Sequence, residues 1–176
     1  MIEFLKVLVN YFEQNQITYM LSGSVAMSLY TLPRFTMDFD FVVRLTPDDV
    51  KCLAEHFKDG YYCDEVAIRD AILNKTMFNI IDHKSGYKAD FIILKNEPYR
   101  ITEFERRRLI DFFDMKIYVV SPEDLLLSKI IWVQESLSSL QFDDIRLLSS
   151  LDHLDQQYID KWIEMLKLNT FDFFKK

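Results

Sequence analysis

The chain has 176 residues, enough for one domain with a helical addition, and 49% of them are hydrophobic, so a sizeable core is expected. Its formal net charge of −7 argues against broad, non-specific contact with a nucleic-acid backbone. No apolar run is long enough to span a membrane, and the amphipathic, acid-containing start predicts no signal peptide, which favours a cytoplasmic protein.

The first part of the chain predicts a helix, a strand and a second helix. Apolar residues recur at helical spacing over 2–14, residues 17–21 have the composition of a strand, and 23–32 predicts a helix that stops at a proline. A glycine at a strand-to-helix junction lets the backbone approach a ligand closely, and the free N–H groups of a new helix can hold phosphate. Gly23 and Ser24 are therefore candidate phosphate-binding residues.

The next predicted strand, over 38–45, carries two acids. Asp38 and Asp40 alternate along it, so both carboxylates leave the same face. Two neighbouring carboxylates repel each other unless a cation lies between them, and beside a phosphate site we expect that cation to be Mg²⁺, a hard ion that takes oxygen ligands. The alternative is a solvated strand face, and the apolar residues between and after the acids argue against it.

Arg34 and Thr36 lie on the approach to these acids, which makes both candidate nucleotide-binding residues. Arg34 either contacts phosphate or neutralises the acid cluster. Thr36 shares strand parity with Asp38, so its side chain either points into the same cleft or only sets the loop. The residues alone leave both choices open.

The middle of the chain predicts two helices and a hairpin. A Thr-Pro pair begins a helix over 46–58, and 64–74 is a short helix. Strands over 77–82 and 87–94 form the hairpin. Asp90, near the start of the second of these strands, is either a turn residue or a third acid of the same cluster. The nearby acids Asp38 and Asp40 favour the cluster.

Residues 98–109 are mixed and basic, and the arginine run over 106–108 is either a solvated face or an RNA contact. A short strand over 115–120 follows. The next segment, 122–134, begins with a Ser cap and a proline and predicts an apolar helix.

Lys129 is conspicuous in that apolar helix, because lysines are rarely buried without a partner. It is either a snorkelling surface lysine or a functional group, and Asp144 in the following helix is a possible partner. An S-x-x-Q pattern over 138–141 predicts a capping box for that following helix, and 157–174 is expected to hold a last helix and an aromatic tail. Three acids on neighbouring strands behind a Gly-Ser helix start suit two-metal phosphoryl transfer.

Taken together, these motifs resemble the nucleotidyltransferase fold of the polymerase-beta superfamily, and most closely its minimal and AbiEii-like abortive-infection toxin branch. The residues that carry the resemblance are Gly23-Ser24, Arg34-x-Thr36-x-Asp38-x-Asp40 and Lys88-Ala-Asp90. Further similarity, including Lys129, Trp132, Gln141, Asp144 and Trp162, extends it from about Tyr19 to Leu168. One position departs from the commoner pattern, since Ser24 stands where glycine is more usual.

The resemblance implies an α/β (α+β) fold, with a mixed sheet flanked by helices over 1–120. A C-terminal helical part over 121–176 would close the cleft, and the two parts would form a single compact unit. It also implies a magnesium-dependent nucleotidyltransferase that moves a nucleoside monophosphate from a nucleoside triphosphate to an acceptor hydroxyl and releases pyrophosphate. The implied metal ligands are Asp38, Asp40 and Asp90; the Gly23-Ser24 turn would hold the triphosphate, and Lys129 and Asp144 would complete the cleft.

The acceptor stays open among RNA, a protein and a small molecule. One alternative is the toxin of a toxin–antitoxin pair, which would modify tRNA by the same chemistry and have an antitoxin as its partner. A second alternative is a catalytically silent relative that serves as a nucleotide-binding or protein-interaction module. The presence of all three acids argues against this second alternative.

Overall fold

The computed structural model describes residues 1–33, 35–171 and 173. In this part of the chain, the helices are α1 (Ile2–Gln14), α2 (Gly23–Met27), α3 (Asp49–His56), α4 (Glu65–Asn74), α5 (Pro98–Glu105), α6 (Pro122–Glu135), α7 (Ser139–Ser149) and α8 (Gln156–Leu166). The strands are β1 (Thr18–Ser22), β2 (Asp38–Arg44), β3 (Tyr61–Cys63), β4 (Met77–Asp82), β5 (Lys88–Ile93), β6 (Arg108–Phe112) and β7 (Met115–Val119). None of the described helices is both long and apolar enough to cross a membrane.

The strands form a single mixed sheet in the order β3-β4-β5-β2-β1-β7-β6. Strand β2 runs parallel to β5 and antiparallel to β1, and β1 runs parallel to β7. The remaining neighbours pair antiparallel. This confirms the predicted α/β fold with a mixed sheet and flanking helices. It also places β2, which carries two of the candidate acids, at the centre of the sheet.

One face of β2 belongs to an aromatic core. The ring of Phe12 in α1 lies 5.2 Å from that of Phe41 and 5.8 Å from that of Phe91 in the neighbouring strand, centroid to centroid. Phe78 of β4 stacks on Phe91 at 4.9 Å. Because side chains alternate along a strand, this packing directs the acids of β2 to the opposite face of the sheet. The fold thus sorts β2 into an apolar face under α1 and an acidic face.

The second predicted helix ends earlier than expected, at Met27 rather than before Pro33. The Ser28 hydroxyl donates to the Ser24 carbonyl at 3.0 Å, and the Thr31 hydroxyl donates to the Met27 carbonyl at 3.1 Å. The backbone N–H groups of Leu29 and Tyr30 bond three residues back, to the carbonyls of Ala26 and Met27, which is the tighter bonding of turns. The apolar pattern of this segment therefore continues in turns rather than in a helix.

Two elements lie where the sequence predicts only mixed, basic residues: α5 and β6. The arginines between and within them contact other parts of the protein, although the Arg108 side chain is 49% exposed. Arg106 Nε donates to Asp124 Oδ2 at 3.0 Å, and Arg108 Nη2 donates to Glu123 Oε2 at 3.1 Å. Arg107 lies over the ring of Phe104, 4.6 Å from its centroid. The run therefore ties α5 and β6 to the start of α6, and its pairing argues against the RNA-contact alternative.

Asp124 is the buried centre of this connection. Besides Arg106 it accepts hydrogen bonds from the Ser121 hydroxyl at 2.6 Å and the Tyr158 hydroxyl at 2.6 Å. The bond from Tyr158 joins α8 to the start of α6. Helix α8, the predicted last helix, ends at Leu166, because Lys167 adopts a left-handed backbone conformation with φ of 52°.

Candidate active site

The strand register brings the three candidate acids to one face of the sheet. Asp40 lies opposite Asp90 across the parallel β2–β5 pair, and Asp38 lies opposite Lys88. In-register residues of neighbouring strands point to the same side, so all three carboxylates leave the face away from the aromatic core. This juxtaposition agrees with the sequence-based prediction that they sit side by side on adjacent strands.

Lys88 is a further member of this cluster, and the sequence indicates it only as part of the Lys88-Ala-Asp90 motif. Its Nζ atom lies 2.8 Å from Asp90 Oδ2 and 3.6 Å from Asp38 Oδ1. The hydrogen bond to Asp90 raises the pKa of Lys88, which holds the ammonium in its charged form. The sequence could have predicted the contact between Lys88 and Asp90, since the two residues are two apart on one strand. The contact with Asp38 follows only from the order of the strands in the sheet.

Asp40 is in an unfavourable place for a negative charge. Burial raises the pKa of its carboxyl, and the charges of Asp90 and Asp38 raise it further. Lys129 and Lys88 oppose this shift. Like charges that lie close together in a partly buried place destabilise the folded protein. Such a cluster is expected where acids are kept to bind a cation.

The acids offer a cation an unsatisfied ligand. Asp90 Oδ1 is buried and has no hydrogen-bond partner among the described residues, while its Oδ2 accepts from Lys88. A buried, unpartnered carboxylate oxygen is rare in a stable fold. Together with the carboxylates of Asp38 and Asp40 it forms an oxygen-only donor set, which suits Mg²⁺.

The side chains are not already arranged as a chelating group. Within the described ranges, no three His, Cys, Asp or Glu side chains form a group that could hold a metal ion as they stand. The Lys88 ammonium is the cation that Asp38 and Asp90 share in this arrangement. That Asp38, Asp40 and Asp90 bind metal stays a prediction.

Position 23 requires glycine both because of the turn it forms and because of the acid cluster next to it. Its φ of +62° lies in the left-handed region, and a Cβ added there would meet Asp40 Oδ2 at 1.8 Å and Asp40 Cγ at 2.5 Å. Glycine is therefore required twice, by backbone conformation and by the side chain opposite it. The strand-to-helix junction predicts close approach of a phosphate to this glycine, and in the structure the side chain of Asp40 lies against it.

We expect Gly23→Ala to lower the melting temperature and to displace the Asp40 carboxylate, so that divalent-ion and nucleotide binding weaken together. Gly60→Ala is the matched control, since Gly60 also has positive φ, +85°, but no described atom lies within 4 Å of its added Cβ. The free energy of unfolding of the control should fall only by the cost of a left-handed backbone conformation for alanine, about 1–2 kcal/mol. Thermal melts of both variants measure the difference, and equal losses would mean that the contact with Asp40 contributes nothing.

The other predicted nucleotide-binding residues lie around this turn. Ser24 is half-buried in α2, directly after Gly23. Thr36 Oγ1 accepts a hydrogen bond from the Asp38 N–H at 3.3 Å, so this threonine sets the loop that leads into β2. Arg34 lies outside the described residues. That Ser24, Thr36 and Arg34 contact a nucleotide stays a prediction.

Lys129 and Asp144 form a buried ion pair. Lys129 Nζ lies 2.7 Å from Asp144 Oδ2, and the two side chains are 8% and 3% exposed. The structure confirms the predicted pairing and excludes the alternative of a snorkelling surface lysine. Because Lys129 also counteracts the raised pKa of Asp40, its ammonium acts on the acid cluster from α6.

Gln141 also belongs to the candidate site, although the sequence pattern predicts it as a capping residue of α7. The predicted capping box would turn its side chain back to the start of α7, but its Oε1 accepts a hydrogen bond from Lys129 Nζ at 3.1 Å. Ser138 is the N-cap of α7, as predicted, and in the described part of the chain it makes no side-chain capping bond. The Gln141 amide oxygen therefore bonds the buried ammonium of Lys129 and not the start of α7.

Three solved structures share this architecture. The lincosamide antibiotic adenylyltransferase LnuA with lincomycin bound matches with a TM-score of 0.56 at 17% identity, over 83% of this chain and 94% of its own. The antibiotic-resistance factor ANT(2'')-Ia matches with a TM-score of 0.60 at 11% identity, over 93% and 89%. A proposed nucleotidyltransferase from Thermotoga maritima matches with a TM-score of 0.52 at 14% identity, over 93% and 94%.

These likenesses show that the chain has the nucleotidyltransferase fold. No protein-family model matches the sequence, and no curated protein sequence does either. The fold predicted from the Gly-Ser, D-x-D and K-x-D motifs is thus confirmed by structure, and the closer resemblance to AbiEii-like toxins stays a prediction.

Proposed function

We propose that this protein is a nucleotidyltransferase that moves a nucleoside monophosphate from a nucleoside triphosphate to an acceptor hydroxyl and releases pyrophosphate. The observation that carries the proposal is the acid face of the central strands. Asp40 and Asp90 lie in register, and a buried oxygen of Asp90 has no partner among the described residues. In a nucleotidyltransferase fold, this is where carboxylates are needed to bind cations that neutralise a triphosphate.

In this proposal Asp38, Asp40 and Asp90 hold Mg²⁺. The bound ion would supply Lewis-acid stabilisation of the phosphate charge and a more acidic acceptor hydroxyl. The chain's own contribution is to fix the three acids on two hydrogen-bonded strands, so that they share one face of the sheet before substrate arrives. The like-charge repulsion around Asp40 is the cost of that arrangement, and cation binding relieves it.

The triphosphate would lie on the turn that Gly23 and Ser24 form, next to Asp40. Arg34 and Thr36 are proposed to border it, with Thr36 acting through the position of Asp38 as well. Lys129 would stabilise the negative charge that develops on the phosphates, and Asp144 and Gln141 would hold its ammonium in place. These roles rest on the resemblance and on the proximity of the groups to the acid cluster.

The acceptor is narrowed by two observations. Two of the structural neighbours are an adenylyltransferase of lincosamide antibiotics and an antibiotic-resistance factor, which favours a small-molecule hydroxyl. Against tRNA, the one arginine run proposed as an RNA contact pairs with Asp124 and Glu123 instead. The tRNA-modifying toxin with an antitoxin partner is the second candidate, and it rests on the sequence motifs alone.

A thermal-shift screen tests nucleotide binding directly. The wild-type protein is melted with each of the four ribonucleoside triphosphates, with Mg²⁺ and with EDTA. We expect at least one triphosphate to raise the melting temperature only when Mg²⁺ is present, because the acids repel a bare triphosphate. The same screen on Asp90→Asn should show no shift. A protein that responds to no triphosphate under either condition would contradict the proposal.

A further inference from the structure

Lys88 occupies a position between acids that the proposed reaction assigns to a metal ion. Its ammonium is 2.8 Å from Asp90 Oδ2 and 3.6 Å from Asp38 Oδ1. The Lys88 side chain is 33% exposed, whereas that of Asp90 is 11% exposed. The lysine thus reaches from the surface to a nearly buried carboxylate, on a stem of four flexible carbons.

The backbone of the parallel pair explains why the contact forms. Lys88 and Asp90 are two residues apart on β5, so their side chains leave the same face, and Asp38 lies opposite Lys88 on β2. Side chains directly opposite each other on neighbouring strands are within reach of an ion pair. The lysine therefore follows from the register that aligns Asp40 with Asp90, and it cannot be separated from the acid cluster.

We infer that Lys88 is the resident counter-cation of the acid cluster, and that a divalent ion binds by displacing its ammonium from Asp90 and Asp38. This inference rests on the proposed function, since it concerns the metal site of that reaction. Lys88 is a positioning residue in this role. It keeps the carboxylates together in the metal-free protein and weakens the binding of a divalent ion that arrives alone.

The displaced ammonium needs a new partner. A nucleoside triphosphate brings several negative charges to the same face, and a lysine on a flexible stem can turn from a carboxylate to a phosphate oxygen. Divalent-ion and triphosphate binding should therefore assist each other through Lys88. The protein would load metal mainly together with its substrate.

Mn²⁺ binding without nucleotide, followed by electron paramagnetic resonance of the free ion, tests the inference. Lys88→Met removes the ammonium and keeps the apolar stem, Lys88→Gln is a second neutral variant, and Lys88→Arg keeps the charge. Lys116→Met is the matched control, because Lys116 is an exposed lysine paired with Asp111 outside the site. Circular dichroism in EDTA establishes that each variant is folded before titration.

We expect both neutral variants at Lys88 to bind Mn²⁺ at least about tenfold more tightly than wild type, since a unit positive charge beside the site is gone. Lys88→Arg and Lys116→Met should stay within about twofold of wild type, because the first keeps the charge and the second removes a distant, screened one. In EDTA the neutral variants should melt at a lower temperature than wild type, and Mn²⁺ should restore more of their stability.

The outcomes separate this inference from the proposed function. If wild type binds Mn²⁺ and neither neutral variant binds it more tightly, the displacement is wrong and the metal site stands. If Lys116→Met gains as much as Lys88→Met, the gain is a general charge effect and the inference is also overturned. If neither wild type nor any Lys88 variant binds Mn²⁺, both the inference and the proposed metal site fail.

Discussion

Replacing Asp40 with asparagine is expected to make the metal-free protein more stable and to abolish nucleotidyl transfer. Burial and the charges of Asp90 and Asp38 all raise the pKa of the Asp40 carboxyl, so its ionised form opposes folding. Asparagine keeps the shape and removes the charge. In EDTA at pH 7 we expect the melting temperature to rise by about 2–4 °C, the shift that roughly 1 kcal/mol produces in a domain of this size.

The pH dependence of this gain has a definite sign. Because the pKa of Asp40 is higher in the folded than in the unfolded protein, the folded state holds the proton more tightly. The relative stability of wild type is therefore intact below the ordinary carboxyl pKa of about 4 and falls as pH rises through the folded value. The melting temperatures of wild type and Asp40→Asn should converge near pH 4 and separate at pH 7.

Activity and metal response should move in the opposite direction. Transfer by Asp40→Asn is expected to fall at least about a hundredfold, because the variant loses a proposed ligand of the Mg²⁺ that would stabilise the phosphate charge. Mg²⁺ should raise the melting temperature of wild type and leave that of Asp40→Asn nearly unchanged. Asp111→Asn, at an exposed carboxylate paired with Lys116, is the control and should alter neither property. A destabilised Asp40→Asn variant with normal Mg²⁺ response would contradict this account.

The second large effect concerns the buried pair of Lys129 and Asp144. Lys129→Met removes the ammonium that pairs with Asp144, whose side chain is 3% exposed, and removing one partner of a buried pair costs about 3–5 kcal/mol. We expect a marked fall in the denaturant midpoint and loss of transfer. The single variant cannot separate the two effects, because an unfolded enzyme is also inactive.

A double variant separates them. Lys129→Met combined with Asp144→Asn removes both charges, so no buried carboxylate loses its counter-charge, and most of the stability should return. Transfer should stay low, because the Lys129 ammonium, which stabilises phosphate charge in the proposed reaction, is gone. Urea melts report the first property and turnover per folded molecule the second. Recovery of both together would show that Lys129 is only structural, and it would then leave the candidate site.

The sequence predicts those parts of the fold whose pattern is local. Helix α1 matches its predicted bounds because its apolar residues recur at helical spacing and pack on the sheet. Elements α5 and β6 were missed because their order depends on distant partners. Glu103 of α5 is buried, and its carboxylate accepts hydrogen bonds from Arg100 and from Ser128, which lies in α6. No local pattern reports such a contact.

In the candidate site, too, the sequence predicts the features that depend on local pattern and not those that depend on distant strands. Parity along β2 predicts that Asp38 and Asp40 share a face, and a short helix–helix connection predicts the Lys129–Asp144 pair. The place of Lys88 depends on the parallel register of β2 and β5, which the sequence does not state. Gly23 was predicted from the strand-to-helix junction, whereas the Asp40 carboxylate beside it became visible only in three dimensions.

The transfer of label from two differently labelled nucleotides tests the central claim most directly. The protein is incubated with Mg²⁺ and a nucleoside triphosphate labelled at either the α- or the γ-phosphate, with cellular RNA, soluble protein or a small-molecule extract as acceptor. Asp40→Asn is the blank. The account predicts that α-label enters one acceptor fraction, that γ-label does not, and that pyrophosphate is released in equal amount. Transfer of γ-label, or α-label no higher than in the blank for every triphosphate and acceptor, would contradict it.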